Sequence, residues 1–585
     1  MFISVIPAVK MPYGHCFFDY ELDEGTAHVG DVILVPFRKR KIAALVAKKS
    51  PLSDWAEKAI KISEPQKIAK LPEAMAEMCI QAAAESFVSP PTMLNAWFRT
   101  VPKRHPDPSE IHTPPRNTHM PADADLLERR YLVNRYKGPD GIIETVRQNQ
   151  ANGRILLLTP WQRRADIIAK KLGCPVLHAE TAYGAAWKSW TDFLSRANAL
   201  LVTTRLGAWL AGAVDIVVVD EPENDDFKQD ELTPRYDARR LIELARRANP
   251  ALRIIKIGTT PNLAEYADFP ESEAALIEPD ITFSRFDPNN RSGIEMVTGT
   301  VFEAISEAAS HGKPVRILHT VYGTRGKIRC ADCDWTMWCE DCDMGMHNMQ
   351  THALCRRCGK KQDMPPACPM CGSVNLAKAV IGSDGLLRAC RQHFARADIK
   401  VLDTHEWLRQ ILQPDSLLIA TNINYIGGYV EDIRRMERLV ISFRRLAAQS
   451  CVAKCKLIVQ GASPLIDTCP SWLTGQGVRK TYDLELQDRQ AFGYPPAQTM
   501  AKLIAPGKIE DSLVIQSKLQ TICDNKQGWR FRGPFTVEYW SKNREPRCVF
   551  HILPPYGVDR AQLVDELAVL TAFGIIDLDP VAFFC

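Results

Sequence analysis

The chain has 585 residues, of which 46% are hydrophobic and 24% are charged. This composition is typical of globular proteins and excludes collagen-like, disordered and small single-module classes, so several domains are expected. The 73 basic and 69 acidic residues leave a net charge of +4, which neither requires nor excludes a nucleic-acid partner. No apolar run approaches the roughly 18 residues that span a bilayer, and Pro7 and Lys10 interrupt any signal peptide. The sequence therefore predicts a cytoplasmic protein with no membrane partner.

The first 122 residues divide into three predicted segments. Residues 1–67 contain stretches that alternate apolar and polar side chains and are rich in β-branched residues, which predicts a small β-rich domain. Residues 68–101 carry helical periodicity and predict a second, helical module. Residues 102–122 are rich in proline and polar side chains, which predicts an extended linker.

Beyond the linker, short apolar strands alternate with amphipathic helices. This pattern is typical of parallel sheets that are covered on both faces. We assign residues 123–275 to one such lobe and residues 276–480 to a second lobe, interrupted at 328–375 by a cysteine-rich segment. Residues 481–585 predict a separate α+β domain. The predicted fold class is therefore multidomain α/β.

The cysteine-rich segment contains four CxxC pairs within 42 residues. Two such pairs can supply a closed, tetrahedral four-thiolate zinc site, so eight thiolates predict two structural Zn²⁺ ions. The short gap between the first two pairs favours a nested arrangement. The predicted ligand sets are Cys330, Cys333, Cys368 and Cys371 for one zinc ion, and Cys339, Cys342, Cys355 and Cys358 for the other.

Several motifs resemble those of the PriA family, the replication-restart proteins also called primosomal protein N-prime, which are superfamily 2 DNA helicases. The similarity lies in the zinc block from CADCDW to CPMCGS, in HCFFDYELDEG with GDVILVPF, in VVVDEPENDDFKQDELTPRYDARRL, in DRQAFGYPPAQTMAKL and in IIDLDP. It implies a 3′-end DNA-binding domain at 1–67, a winged-helix domain at 68–101, two RecA-like lobes with a binuclear zinc insertion, and a C-terminal DNA-binding domain at 481–585. The implied partners are forked and single-stranded DNA, single-stranded DNA-binding protein, and other primosome or helicase-loading proteins, with a location at the nucleoid.

The resemblance also implies candidate DNA contacts. In the F-D-Y element of Phe18, Asp19 and Tyr20, the carboxylate would accept a terminal 3′-hydroxyl while the rings stack on a base. The alternative is a β-hairpin with core aromatic residues. Further candidates are Arg205 in a G-T-R-like element, and Lys228 and Arg235 in the basic loop after the second helicase motif. A basic cluster between Arg434 and Arg445 is either another DNA contact or a solvated helix face.

Three parts of a helicase motor depart from the family pattern. No G-x-x-x-x-G-K-[ST] string occurs, and YLVNRYKGPDGIIETV, where it is expected, contains Pro139, which has no N–H to donate to a phosphate. Asp220 and Glu221 follow a strand where acids would hold Mg²⁺, but the family's D-E-E-H reads D-E-P-E here. The Q-x-x-G-R-x-G-R element is absent from AAQSCVAKCKLIVQ. We therefore predict a degenerate nucleotide site without catalytic residues, and leave open whether ATP binds without hydrolysis.

The expected function is that of a PriA-like replication-restart protein that binds stalled forks and helps primosome assembly without helicase activity. One alternative is an active, ATP-dependent 3′→5′ DNA helicase with an unrecognised nucleotide site. Another is a structural zinc adaptor that binds protein or RNA.

Overall fold

The fold is taken from a computed structural model of the full chain. The residues it describes are 1–23, 26–98, 127–132, 140–268, 276–286, 294, 297–319, 328–330, 332–333, 335–340, 345–348, 352–355, 360–378, 382–403, 406–407, 412–423, 432–507, 512–538 and 546–581. The predicted linker at 102–122 lies outside these ranges. No helix in the described ranges is long and apolar enough to cross a membrane.

The N-terminal domain is a six-stranded sheet followed by two helices. Its strands are β1 (Phe2–Pro7), β2 (Phe18–Leu22), β3 (Asp31–Phe37), β4 (Arg40–Ser50), β5 (Ile60–Ile62) and β6 (Gln66–Lys70), in the order β5-β2-β1-β4-β3-β6. Alternation along β1 sends Ile3 and Val5 to one core and Ile6 to another, because successive side chains point to opposite faces. Helices α1 (Ala74–Glu85) and α2 (Pro90–Phe98) occupy the predicted winged-helix segment, whose last residues are not among those described.

The first lobe is a parallel six-stranded sheet with helices on both faces. Its elements are β7 (Leu127–Tyr131), α3 (Asp140–Asn149), β8 (Ile155–Leu158), α4 (Gln162–Leu172), β9 (Val176–Leu177), α5 (Tyr183–Leu194), β10 (Leu200–Thr203), β11 (Ile216–Asp220), α6 (Ala238–Ala248), β12 (Arg253–Gly258) and α7 (Leu263–Asp268). The strand order is β7-β12-β11-β8-β10-β9. Successive residues of β8, and of β11 up to Val219, point into two different cores on opposite faces of the sheet. Both faces are buried, which explains why these residues are all apolar.

The second lobe is a parallel five-stranded sheet that carries the cysteine-rich insertion. Its elements are β13 (Ile281–Arg285), α8 (Gly299–Ser310), β14 (Val315–Leu318), the inserted β15 (Ile328–Cys330), β16 (His347–Asn348), β17 (His352–Leu354), β18 (Lys361–Asp363) and β19 (Leu376–Lys378), then α9 (Ser383–His393), β20 (Ile399–Leu402), β21 (Leu417–Ala420), α10 (Arg435–Ala453), β22 (Lys456–Gly461), α11 (Leu465–Thr468) and α12 (Gly475–Phe492). The strand order of the large sheet is β13-β22-β21-β14-β20.

The C-terminal domain is an antiparallel sheet with helices on one face. Its elements are β23 (Ala501–Pro506), α13 (Leu513–Asn525), β24 (Arg530–Glu538), β25 (Pro546–Leu553), α14 (Arg560–Leu567) and β26 (Ile575–Leu578), with the strand order β24-β25-β23-β26. Helix α12 crosses the boundary that we placed between 480 and 481. Its Val478 and Tyr482 belong to the core of the second lobe, so α12 is part of that lobe.

Candidate DNA-binding, nucleotide and zinc sites

Asp19 lies in β2, next to the edge of the N-terminal sheet, where hydroxyl groups hold its carboxylate. Its cross-strand neighbour in β1, Ser4, donates from Oγ to Asp19 Oδ1 at 2.7 Å. Ser53, in the loop before β5, donates from Oγ to Asp19 Oδ2 at 2.5 Å. A carboxylate has about four acceptor positions, so these two hydrogen bonds leave capacity for a ligand hydroxyl.

The two aromatic residues of the F-D-Y element face away from this carboxylate. Tyr20 is 3% exposed, its hydroxyl donates to the carbonyl oxygen of Pro36 at 2.7 Å, and burial raises its pKa to about 12. Phe18 packs edge-on against Phe37, with ring centroids 5.3 Å apart. Both rings therefore fit the alternative of core aromatic residues, because strand alternation places them opposite Asp19.

A cationic turn connects β3 to β4 in the same domain. Arg38 adopts a positive φ of 54°, a left-handed conformation that glycine takes more readily than other residues. Its guanidinium lies 5.9 Å from the centre of the Phe37 ring. Arg38, Lys39 and Arg40 are exposed.

The predicted DNA contacts in the first lobe are engaged within the protein. Lys228 and Arg235 are only 5% and 4% exposed, and both bind Asp577 of the C-terminal domain, at 2.8 Å and 3.3 Å. Arg205 donates to Gln229 Oε1 at 2.8 Å and to the carbonyl oxygen of Asp226 at 2.9 Å. Lys228 and Arg235 thus join two domains in this structure and do not face solvent, where a phosphate would bind.

Asp220 ends β11, at the carboxyl edge of the first sheet. Its side chain is fully buried, accepts a hydrogen bond from Thr159 Oγ1 at 2.9 Å, and forms an ion pair with Arg164 of α4. Sequence reasoning missed Arg164. Arg164 lies in α4, the helix that follows β8, and β8 is the neighbour of β11 in the sheet. Because neighbouring parallel strands end at the same edge of a sheet, this position could have predicted the contact between Arg164 and Asp220.

Glu221 follows Asp220 and contacts the second lobe. Its carboxylate accepts from Arg445 of α10 at 2.7 Å and from Asn224 Nδ2 at 3.1 Å. Glu221 adopts a φ of 57° and is 1% exposed. The guanidinium of Arg445 also lies 5.8 Å from the centre of the Trp161 ring. Both acids of the predicted nucleotide site are therefore paired with arginines.

Two further arginines of the basic cluster bridge the lobes. Arg434 and Arg438 each bind Asp225 of the first lobe at 2.9 Å. Burial would lower the pKa of Arg434, but Asp225 and Glu437 outweigh it and raise that pKa. Burial would likewise raise the pKa of Glu437, yet the charges of Arg434 and Arg489 hold it at about 2. In this structure Arg434 and Arg438 connect the two lobes and do not form a solvated helix face.

Four cysteines of the insertion form a compact thiol cluster. The Sγ atoms of Cys330, Cys333, Cys368 and Cys371 all lie within 4.8 Å of one another, and the 330–371 and 333–368 pairs are 3.6 Å apart. Tetrahedral zinc with Zn–S bonds of about 2.3 Å requires S···S distances of about 3.8 Å. The cluster fits that ion, as the nested arrangement predicts for the first ligand set.

The second predicted ligand set is partly described. Cys339 and Cys355 are 1% and 0% exposed and lie in one small core with Met346 and Ala353. Cys342 and Cys358 lie outside the described residues. The second zinc ion therefore stays a prediction.

Comparison with known proteins matches the N-terminal domain to a family model and more than half of the chain to curated relatives. Residues 7–98 match the family model of the PriA 3′ DNA-binding domain, and this range contains strands β2–β6 of the N-terminal sheet and the two helices after it. The chain is 24% identical to the Replication restart protein PriA of Thermotoga maritima over 410 residues, which cover 63% of this chain and 54% of that protein. It is 23% identical to the protein of the same name from Chlamydia pneumoniae, covering 57% and 50% of the two chains. The chain thus spans about half the length of these relatives, and the resemblance to PriA is confirmed.

Proposed function

We propose that this relative of PriA is a replication-restart protein that binds the 3′ end of a DNA strand at a fork and does not turn over ATP. Its partners would be forked and single-stranded DNA at the nucleoid, single-stranded DNA-binding protein, and the proteins that load a replicative helicase. The DNA-binding part of the proposal rests on the position of Asp19 and on the hydrogen bonds that its carboxylate accepts. Asp19 lies within the match to a 3′ DNA-binding domain, and two serine hydroxyls orient its carboxylate.

The carboxylate explains selectivity for a free 3′-hydroxyl. A hydroxyl donates to an ionised carboxylate, and a hydrogen bond to a charged group contributes about 1.5–3 kcal/mol. A terminal 3′-phosphate has no hydroxyl to donate and adds negative charge next to Asp19. The site is therefore suited to a strand end that a polymerase could still extend.

The motor part of the proposal rests on the paired acids. In a working nucleotide site, an acid after the strand holds Mg²⁺ and an arginine from the facing lobe stabilises the transferring phosphoryl group. Here Arg164 neutralises Asp220, while Arg445 crosses between the lobes to Glu221. Together with the missing G-x-x-x-x-G-K-[ST] string, these pairs favour two RecA-like lobes retained as a scaffold.

The test of the DNA-binding part compares two forks that differ only at the 3′ end of the leading-strand arm. The zinc-loaded full chain should bind the fork with a 3′-hydroxyl about tenfold or more tightly than the fork with a 3′-phosphate, as expected from a charge-assisted hydrogen bond. Asp19→Asn should remove most of this preference. Asp23→Asn is the matched control, because Asp23 is an exposed acid just after the same strand and pairs with Lys61. Equal wild-type affinities for the two forks would contradict the proposal.

A further inference from the structure

The turn between β3 and β4 carries positive charge that the proposed 3′-end site does not use. Phe37 pairs with Arg40 across the two strands, which leaves only two residues for the hairpin turn. Those two residues and the two that follow them are Arg38, Lys39, Arg40 and Lys41, and all four side chains are exposed. The tip of this hairpin is therefore a projection made of cations.

Packing beneath the turn holds this projection in place. Phe37 packs edge-on against Phe18, with ring centroids 5.3 Å apart, and lies against the core that β1 to β4 share. The guanidinium of Arg38 lies 5.9 Å from the centre of the Phe37 ring. Because side chains alternate along a strand, Arg40 and Lys41 point to opposite sides of the hairpin. The four cations are thus displayed at the tip and on both sides of it.

The cationic turn is remote from Asp19. Asp19 pairs with Ser4 of β1, and Ser4 pairs with Lys48 of β4. Arg40 begins the same strand, and its distance from Lys48 along that strand is roughly 26 Å at about 3.3 Å per residue. A single terminal nucleotide does not span this distance. Any DNA that the turn contacts is therefore a different part of the ligand.

Double-stranded DNA fits this projection better than single-stranded DNA does. A duplex carries one phosphate charge per about 1.7 Å of helix axis, and its major groove, about 12 Å wide, admits a two-stranded β-ribbon. A hairpin tip with cations on both sides can face the phosphates of both strands there. Sites for single strands instead combine cations with aromatic rings that stack on bases. Phe37, the aromatic residue at this turn, is already in contact with Phe18 and Arg38.

We infer that the β3–β4 hairpin binds the phosphate backbone of a DNA duplex, as a contact separate from the 3′-end site. The ligand class is double-stranded DNA of any sequence, because phosphate contacts position a protein without reading the bases. On a fork, the hairpin holds a duplex arm. The inference goes beyond the proposed 3′-end binding and does not depend on it.

The test measures, by fluorescence anisotropy over a range of salt concentrations, how the zinc-loaded full chain binds a blunt duplex of about 30 base pairs, three helical turns. Both 3′ ends carry phosphate, which keeps the 3′-end site from contributing. Arg38→Gly should reduce the slope of log affinity against log salt by about 0.9, the value for one lost phosphate contact on a duplex. Glycine adopts the positive φ of this position more readily than arginine does, so the variant removes the charge and keeps the turn.

A double variant and a matched control extend this measurement. Lys39→Gln combined with Arg40→Gln should reduce the slope by about 1.8, the value for two lost contacts. Lys170→Gln combined with Lys171→Gln is the control, because these are also neighbouring exposed cations, at the end of α4 in the first lobe. The control should leave the slope unchanged. A reduction in the hairpin variants no larger than in the control would overturn the inference, as would a wild-type chain that does not bind the duplex.

A single strand of the same length, also ending in 3′-phosphate, separates the two classes of DNA. The hairpin variants should bind this strand with the salt slope of the wild-type chain. A reduction of about 0.7 for each cation removed, the value for a phosphate contact on a single strand, would overturn the assignment to duplex DNA.

Forks that end in a 3′-hydroxyl or a 3′-phosphate keep this inference distinct from the proposed function. Arg38→Gly should retain the wild-type ratio of the two affinities, because the turn is remote from Asp19. If the wild-type chain has no preference for the hydroxyl, the 3′-end proposal falls and the duplex contact stands. If Arg38→Gly leaves the duplex slope unchanged, the duplex contact falls even when the hydroxyl preference persists.

Discussion

Arg164 and Arg445 pair with the two acids that lie at the carboxyl end of β11. Each forms an ion pair with a buried acid: Asp220 is 0% exposed and Glu221 is 1% exposed. Removing one partner of a buried ion pair typically costs about 3–5 kcal/mol, because the other charge stays buried. We therefore expect both arginines to stabilise the fold.

Arg445→Ala should lower the free energy of unfolding by about 3–5 kcal/mol, since the buried Glu221 carboxylate would lose the arginine that pairs with it. The double variant Arg445→Ala with Glu221→Gln should recover much of that loss, because it removes the uncompensated charge. Urea denaturation followed by circular dichroism measures both changes.

Arg285→Ala is the matched control for the single and double variants at Arg445 and Glu221. Arg285 pairs with Asp467 on the surface, where the two side chains are 66% and 44% exposed, so its removal should change stability by less than about 1 kcal/mol. A single Arg445→Ala variant as stable as this control would contradict the role of Arg445. A double variant that loses as much free energy of unfolding as the single variant, or more, would also contradict it.

At the scale of single residues, the sequence predicted the position of Asp19 but not its surroundings. The F-D-Y element marks the carboxylate, yet the period of two in a strand sends its neighbours to the opposite face. Ser53 gave no signal of its own, because this hydrogen-bond partner of Asp19 is 34 residues away in the chain.

At the scale of elements, the inserted zinc segment is the part that sequence reasoning described best. The spacing of the CxxC pairs predicts four-thiolate zinc binding whatever the rest of the fold is. The structure brings the four cysteines of the first nested ligand set together, as predicted. Helix α10 is the opposite case. Its arginines are evident in the sequence, but their partners lie more than 200 residues earlier, and no local pattern reveals them.

Native mass spectrometry should find two Zn²⁺ ions in chain purified without chelator. Cys330→Ser should reduce the count to one, and Cys342→Ser should also reduce it to one, because each belongs to a different predicted ligand set. Each change should loosen the insertion locally, since structural zinc binding contributes folding free energy.

Cys390→Ser provides the control for this experiment. Cys390 is a buried cysteine in α9 outside the insertion, so its replacement should leave both ions bound. A wild-type count of one or none would contradict the binuclear insertion. Retention of both ions in Cys330→Ser would contradict the first ligand set.

At the scale of the whole molecule, ion pairs connect the domains around the predicted nucleotide site. Asp225 joins the two lobes through Arg434 and Arg438. Asp577 joins the C-terminal domain to the first lobe through Lys228 and Arg235. The Asp577 pairs are buried and the Asp225 pairs are partly buried. Contacts of this kind would favour one fixed arrangement of the lobes over a nucleotide-driven cycle of opening and closing.

The parallel lobes themselves were predictable, because strands buried on both faces are apolar at every position. The domain boundaries were harder to predict from the sequence. The helices after the N-terminal sheet share a core with the first lobe, and Trp97 stacks on Trp209 with ring centroids 5.7 Å apart. Composition and periodicity describe each segment separately, whereas such contacts depend on how the finished domains pack.

The most direct test of the central claim measures ATP hydrolysis by the zinc-loaded chain at fork concentrations that saturate its binding. We expect fork binding that weakens with salt, together with no DNA-stimulated ATP turnover above background, because the sequence contains neither the G-x-x-x-x-G-K-[ST] nor the Q-x-x-G-R-x-G-R motif. Losing arginine fingers alone lowers such rates by about 10³–10⁵. Turnover at the roughly 1–10³ s⁻¹ of ordinary enzymes, abolished by Asp220→Asn, would contradict the account and establish an active motor.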